Sequence, residues 1–186
     1  MININDDILE VLISSEDLTN RCKEIAEEIN EEYQDKDPVL VCLLKGSIPF
    51  LAELLKYITI PMEFECMRVS SYHGTKSSGI VNISAEFSTP LKKRDVIIVE
   101  DIVDSGRTIA EVTKIFKASE VNSIAVATLL DKPEMRLVEG IHPKYIGFEV
   151  PNKFVVGFGL DYNQKYRNLP YLSLIHISEP TRRRGI

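Results

Sequence analysis

Four consecutive apolar residues, Val96 to Val99, run into two adjacent carboxylates, Glu100 and Asp101, and then into Asp104-Ser105-Gly106-Arg107-Thr108. An apolar run this short and unbroken fits a strand covered on both faces, the kind found in parallel sheets. Beyond Thr108, Ile109, Val112, Ile115 and Phe116 recur at helical spacing. A buried strand that turns directly into a helix, with acids at its carboxyl end, constrains the fold more than any other stretch. It also carries chemistry. The free N–H groups and partial positive charge of a helix start suit a phosphate, and carboxylates suit ribose hydroxyls or Mg²⁺. Phosphate and carboxylate repel each other, so the two groups must serve different parts of one ligand. The residue types alone leave a second role open, in which Asp104 or Ser105 simply caps the helix.

The same alternation recurs along the chain. Ser14-Ser15-Glu16-Asp17 reads as a capping box, and Leu18, Cys22, Ile25, Ala26 and Ile29 form one apolar face of a helix reaching about Tyr33. Val39 to Leu44 is another buried-strand run, ended by Lys45-Gly46 and followed by a helix carrying Phe50, Leu51, Leu54 and Leu55. Further strands are expected at 62–69, 79–87, 123–130, 145–148 and 153–157, with a Ser- and Gly-rich loop from Ser70 to Gly79. Strands alternating with helices imply an α/β fold with a mainly parallel, Rossmann-like sheet flanked by helices. Ligands on such sheets bind beyond the carboxyl ends of the strands. Lys45-Gly46, Glu100-Asp101-Asp104 and Asp131-Lys132 all fall at such ends and are expected to share one site.

Several function classes drop out. The length of 186 residues suits one domain with a substantial core. A net charge of −6 argues against sequence-independent nucleic-acid binding, which needs a basic face. Cys22, Cys42 and Cys66 are odd in number and set among apolar residues, so they read as reduced core thiols of a cytoplasmic protein. No apolar run has the length of a membrane span, and the N-terminus lacks a signal-peptide charge pattern, so no membrane partner is expected. There is no Walker motif, and Gly157-Phe158-Gly159 lacks the third glycine of a dinucleotide fingerprint. His73, His142 and His176 show no metal-ligand spacing.

The ordered string 96–108 resembles the phosphoribosyl diphosphate (PRPP) motif of the type I phosphoribosyltransferases: an apolar run, two acids, two mostly apolar residues, then Asp-Ser-Gly-Arg-Thr. Other segments extend the likeness over roughly residues 4–171. They are Leu44-Lys45-Gly46, Ser70-Ser71-Tyr72, Asp131-Lys132-Pro133, and the stretch from Gly147-Phe148-Glu149-Val150-Pro151 through Asp161-Tyr162-Asn163-Gln164-Lys165-Tyr166-Arg167. Together they look most like hypoxanthine-guanine phosphoribosyltransferases of bacterial type. The resemblance implies the type I phosphoribosyltransferase fold, with a small hood subdomain built from the terminal segments. It implies transfer of the phosphoribosyl group of PRPP to N9 of a 6-oxopurine (hypoxanthine, and also guanine), giving IMP or GMP in purine salvage. Mg²⁺ as cofactor and a homodimer or homotetramer follow from the same likeness.

Residue by residue, the resemblance gives Asp104, Ser105, Gly106, Arg107 and Thr108 the 5′-phosphate, and Glu100 and Asp101 the ribose hydroxyls and Mg²⁺. Asp104 would also take or share a proton at purine N7. Lys45 and Gly46, sometimes through a cis peptide, and Arg167 would hold pyrophosphate. Lys132, Phe154, Val155 and Asp161 would face the purine, Asp161 also binding a second Mg²⁺, and Ser71 and Tyr72 would belong to a flexible lid. An ammonium only donates, so Lys132 favours a 6-oxo group over an amino group. A surface ion pair at Arg167 and a core role for Phe154 are the plainer alternatives. The same fold also supports an enzyme preferring xanthine, or a PRPP-sensing regulator that binds nucleic acid. The acidic body and the presence of Asp104 count against the regulator.

The last residues stand apart. Leu172 to Arg182 resembles one reading frame of a common sequencing-library adapter. Residues 172–186 are therefore expected to be a non-native tail, replacing a short native strand, on a phosphoribosyltransferase domain of residues 1–171. The tail carries three arginines and one glutamate, so without it the net charge moves from −6 to −8. A native basic tail is the competing reading.

Overall fold

The two runs without a polar face lie side by side at the centre of the sheet. In the computed structural model, which describes residues 8–71, 81–84 and 87–175, strand β2 (Val39–Leu44) pairs in parallel with β5 (Asp95–Val103), Val39 opposite Val96 and Cys42 opposite Val99. On one side β2 pairs with β3 (Glu63–Ser71), and β3 with the antiparallel edge strand β4 (Val81–Ser84). On the other side β5 pairs with β6 (Ser123–Asp131) and β6 with β7 (Tyr145–Glu149), both in parallel. The order is β4-β3-β2-β5-β6-β7, so five strands run parallel and one edge strand does not.

Strand residues alternate between faces, and the two cores follow that alternation. Leu40, Cys42, Ile97 and Val99 pack beneath α1 (Ser15–Glu32) and α2 (Ile48–Leu55), against Leu18, Ile25, Ile29 and Phe50. Val39, Val41, Val96 and Ile98 face α3 (Arg107–Ala118), against Ile109, Val112 and Phe116. Helix α1 begins as its sequence requires: the Asp17 backbone N–H donates to Ser14 Oγ at 3.1 Å. Its buried residues are Leu18, Cys22, Ile25, Ala26 and Ile29, the five expected from periodicity.

The terminal segments form a separate antiparallel sheet, in the order β1-β9-β8, from β1 (Ile8–Ile13), β8 (Val155–Val156) and β9 (Leu172–Ile175). This is the hood implied by the family resemblance. Three expectations need revision. The strand expected at 153–157 shortens to Val155–Val156, because Lys153 N–H turns back to the Pro151 carbonyl at 2.7 Å and Gly157 leaves the extended region at φ +100°. Cys22 and Cys42 are buried but Cys66 is exposed, since no helix covers the outer end of the sheet where β3 also exposes Phe64. The folded body does not stop at residue 171: Leu172, Ser173, Leu174 and Ile175 are all buried as the central hood strand, and Ser173 Oγ donates to the Glu10 carbonyl. Of the strand expected at 79–87, Val81–Ser84 is described as β4. No helix among the described residues is long and apolar enough to cross a membrane.

Candidate functional site

Because β2, β5 and β6 are parallel, their carboxyl ends come out at one edge of the sheet, and the polar residues at those ends come with them. A cavity of about 440 Å³ is lined there by Lys45 and Gly46 after β2, Glu100 and Asp101 of β5, and Thr108 of α3. Asp161, Gln164 and Arg167 from the segment before β9 complete it. Glu100 and Asp101 lie within β5 and not beyond it, and both border the cavity at its carboxyl end.

The approach of β2's turn to Asp101 is closer than any side chain permits. A Cβ on Gly46 would stand 1.5 Å from Asp101 Oδ2, so any side chain at position 46 must displace that carboxylate or the turn. Gly159 is packed the same way, its missing Cβ falling 1.9 Å from the Gly46 carbonyl. The Leu44–Lys45 peptide is cis, as the resemblance implied it can be. Asp101 Oδ1 accepts the N–H of Ile102 at 2.8 Å. Burial raises the Asp101 carboxyl to about 6, against the lowering effect of that N–H and of Arg167. Burial lifts the Glu100 carboxyl well above the ordinary glutamate value, and the charge of Asp101 adds to the rise. Glu100 Oε2 is buried with no hydrogen-bond partner among the described residues.

These two carboxyls fit a divalent cation. Half-buried at one cavity, with raised carboxyls and one Glu100 oxygen unpartnered among the described residues, they gain from positive charge, and Mg²⁺ characteristically uses one or two carboxylates with water and substrate phosphate. Asp161 lines the same cavity but is engaged: it pairs with Arg167 Nη2 at 2.7 Å and accepts the Gln164 N–H at 2.8 Å. Among the described residues no three metal-ligating side chains draw together into a cluster. Arg167 also donates to the Gly159 carbonyl at 2.7 Å, and its Nε is buried without a partner among the described residues. The ion pair considered for Arg167 exists, but it lies in the cavity and not on open surface.

At the start of α3 the capping role falls away. Gly106 is the N-cap in the left-handed region, φ +80°, and no side chain bonds the first turn. Asp104 is exposed, and the N–H groups of Arg107, Thr108 and Ile109 begin a helix without a cap of its own. Lys132, only 8% exposed, reaches from the end of β6 to donate its Nζ to the Lys153 carbonyl at 2.8 Å. Phe154 is 44% exposed and meets Tyr162 edge-on at 5.6 Å, whereas Val155 is packed in the core. Phe154 therefore offers a ring face and Val155 its backbone. Ser71 ends β3, and Tyr72 lies outside the described residues.

Sequence reasoning missed Gln164, Gly159 and Arg136. Arg136 pairs with the buried Asp131 and donates to the Asp104 carbonyl at 2.7 Å. The Asp131-Lys132-Pro133 string was visible, but nothing local marks an arginine four residues beyond Lys132.

A parallel sheet with paired acids on its central strand, an uncapped helix start beside them and a terminal hood defines a phosphoribosyl-binding α/β protein. Residues 14–163 match the phosphoribosyl transferase domain family, and the chain belongs to that family. Among its relatives is a hypoxanthine-guanine phosphoribosyltransferase of Streptococcus pneumoniae, 47% identical over 173 residues that cover 92% of this chain and 96% of the relative. A crystal structure of a hypoxanthine phosphoribosyltransferase from Staphylococcus aureus superposes with a TM-score of 0.88 at 41% identity, covering 95% of this chain and 97% of that one. The hypoxanthine phosphoribosyl transferase of Trypanosoma cruzi, solved in work on its C-terminal region, oligomeric state and activity, superposes with a TM-score of 0.86 at 31% identity, covering 94% of each chain.

Proposed function

We propose that the chain transfers the 5-phosphoribosyl group of PRPP to N9 of a 6-oxopurine, hypoxanthine or guanine, forming IMP or GMP and pyrophosphate in purine salvage. The observation that carries this reading is Lys132. Its ammonium, almost fully buried, is held against the Lys153 carbonyl beside Phe154 and Val155. A donor-only group there suits a 6-oxo oxygen and rejects the amino group of adenine.

In the reaction the N9–C1′ bond forms, the bond from C1′ to pyrophosphate oxygen breaks, and the purine loses a proton. Positive, oxocarbenium-like charge grows on the ribose and negative charge on the leaving group, so the site must stabilise both. The N–H groups of Asp104 to Thr108, with the Ser105 and Thr108 hydroxyls, hold the 5′-phosphate, as an uncapped helix start is suited to do. Glu100 and Asp101 face the ribose hydroxyls. Lys45, the Gly46 backbone and Arg167 take pyrophosphate, the guanidinium through its planar set of donors. Phe154 stacks on the base, and Val155 and Asp161 border its edge. Asp104 receives the proton at N7 as N9 attacks. Glu100 and Asp101, and on the pyrophosphate side Asp161, would hold Mg²⁺, which would supply charge stabilisation for the leaving group when bound.

Ser71 and Tyr72 are assigned to the lid by family resemblance; Val69, two residues before Ser71 on β3, lines the cavity. The protein works in the cytoplasm, in keeping with its free thiols. It assembles as a homodimer or homotetramer through uncovered apolar surface such as Phe64, 53% exposed. A purine panel with PRPP and Mg²⁺ tests the activity. Nucleotide should form from hypoxanthine and guanine and not from adenine, and absence of product from every 6-oxopurine would refute it. Asp104→Asn should lower kcat by about a hundredfold or more; unchanged turnover would remove Asp104 from proton transfer and leave the activity standing.

A further inference from the structure

We propose that Arg136, clasped by Asp131, is a positioning residue that aims the backbone amides of the 104–106 turn and so sets how tightly the 5′-phosphate is held. The inference rests on the phosphoribosyl-transfer reading and deepens it. Arg136 does not line the cavity that holds Glu100, Asp101 and Arg167. It lies behind the turn, with its side chain 15% exposed and that of Asp131 6% exposed.

The argument is one of peptide geometry. In a trans peptide the carbonyl of one residue and the N–H of the next point in opposite directions. The Asp104 carbonyl accepts Arg136 Nη1 at 2.7 Å, so the Ser105 N–H is turned away from Arg136. The Ser105 carbonyl accepts the N–H groups of Leu137 and Val138 at 3.0 and 3.2 Å, so the Gly106 N–H is turned away from that segment too. Both amides thus lie on the face of the turn opposite Arg136, the face that the phosphoribosyl-transfer reading gives to the phosphate. The arginine stem fixes the height of the turn as well. Arg136 Cδ lies 3.0 Å from where a Cβ on Gly106 would stand, beneath a residue held at φ +80°.

Asp131 completes the device. It accepts Arg136 Nη2 and so neutralises a buried guanidinium that would otherwise compete with the amides for phosphate. It also ties the turn to the strand end that carries Lys132, whose own N–H donates to the Val103 carbonyl at 2.9 Å. One ion pair therefore keeps the phosphate turn and the purine-side lysine in a fixed relation. The fixed planar fork of arginine can satisfy a carboxylate and a carbonyl together, which an ammonium at the end of a flexible stem does less well.

The test uses ribose 5-phosphate and pyrophosphate as separate equilibrium probes of the full chain. Arg136→Gln should weaken ribose 5-phosphate by about tenfold, the scale of a lost charge-assisted hydrogen bond. It should raise the PRPP KM comparably and leave pyrophosphate affinity within about twofold, as expected when only one end of the ligand is misaimed. Arg94→Gln is the control, because Arg94 likewise joins a carboxylate, Glu63, to a backbone carbonyl, that of Asp37, far from the site; it should change neither affinity. Unchanged ribose 5-phosphate affinity in Arg136→Gln, or equal losses for both probes, would overturn the proposal. If Arg136→Gln does not fold, Arg136→Lys carries the test. A loss for ribose 5-phosphate alone supports positioning, and wild-type affinity refutes it. An inactive wild type would refute the phosphoribosyl-transfer reading, whereas the binding arms need no turnover and judge Arg136 independently.

Discussion

Replacing Gly46 with alanine should disable the site through Asp101, without unfolding the protein. The added Cβ would stand 1.5 Å from Asp101 Oδ2 and 2.5 Å from its Cγ, whereas real Cβ contacts essentially never fall below 3.0 Å. The carboxylate, the 44–47 turn, or both must therefore shift by more than an ångström. A misplacement of about 1 Å in a site that works by positioning costs on the order of a hundredfold in rate, or about 2.7 kcal/mol of transition-state stabilisation. Asp101→Ala removes the same carboxylate and should cost a similar amount. If alanine at position 46 acts by displacing Asp101, its effect largely vanishes when that carboxylate is absent. The double variant should then lose about a hundredfold, not about ten-thousandfold, giving a coupling near the full single-variant effect. The assay is kcat/KM for PRPP at saturating hypoxanthine for the four members of the cycle, with thermal melts alongside. Additive losses would refute the argument, as would a Gly46→Ala protein of wild-type activity.

Two other outcomes follow from burial and charge. Cys66 is exposed, while burial pushes the Cys22 thiol up to about 12 and the Cys42 thiol up to about 11, so intact-mass measurement after brief alkylation at neutral pH should show one adduct, on Cys66, and three only in denaturant. Bonds from Lys144 and Tyr145 hold the Glu32 carboxyl below its ordinary 4.5; a carboxyl lowered in the folded state stabilises above its unfolded value and loses that contribution as pH falls through the folded one. The stability gap between wild type and Glu32→Gln, read from urea unfolding, should be constant near neutrality and close on acidification below about pH 4.5; a gap that widens on acidification would refute the assignment.

The parallel core was legible because its signals are local. Val39–Leu44 and Val96–Val99 have no polar face, and only a strand covered on both sides accepts such a run. The apolar face of α1 was equally plain, from Leu18 to Ile29, with its cap at Ser14. The candidate site was legible to the extent that its residues sit at strand ends, since parallel pairing brings Lys45, Asp101 and Lys132 to one edge whatever the loops do. The hood was harder. Its central strand, Leu172–Ile175, is four residues of composition with no periodic signature, and it becomes a strand because β1 and β8 pair with it from opposite sides. Arg136 was invisible for a related reason: its role depends on where the chain returns after β6, which no local pattern encodes.

What the sequence could not convey at all is the electrostatic tension between Glu100 and Asp101. Adjacent acids on a strand would ordinarily be turned to solvent. Here both are partly desolvated, their carboxyls rise, and one oxygen of Glu100 has no partner among the described residues. Arg167 stands near enough to lower Asp101, yet its direct ion pair is with Asp161. Had the guanidinium paired with Asp101 directly, the acid would be satisfied and less available to a sugar hydroxyl or a metal. Instead Gly46 and Gly159 let the backbone press close enough to fix the carboxylate without neutralising it. Two half-buried acids with raised carboxyls resist carrying their charges in the free protein, and the surrounding apolar cores offset that cost. A cation and a polyhydroxyl ligand arriving together would relieve it. The local departures from ordinary packing, a glycine pressed against Asp101, a helix start without a side-chain cap and a Glu100 oxygen without a partner among the described residues, therefore meet at one edge of the sheet, where the ligand proposed above would satisfy all three.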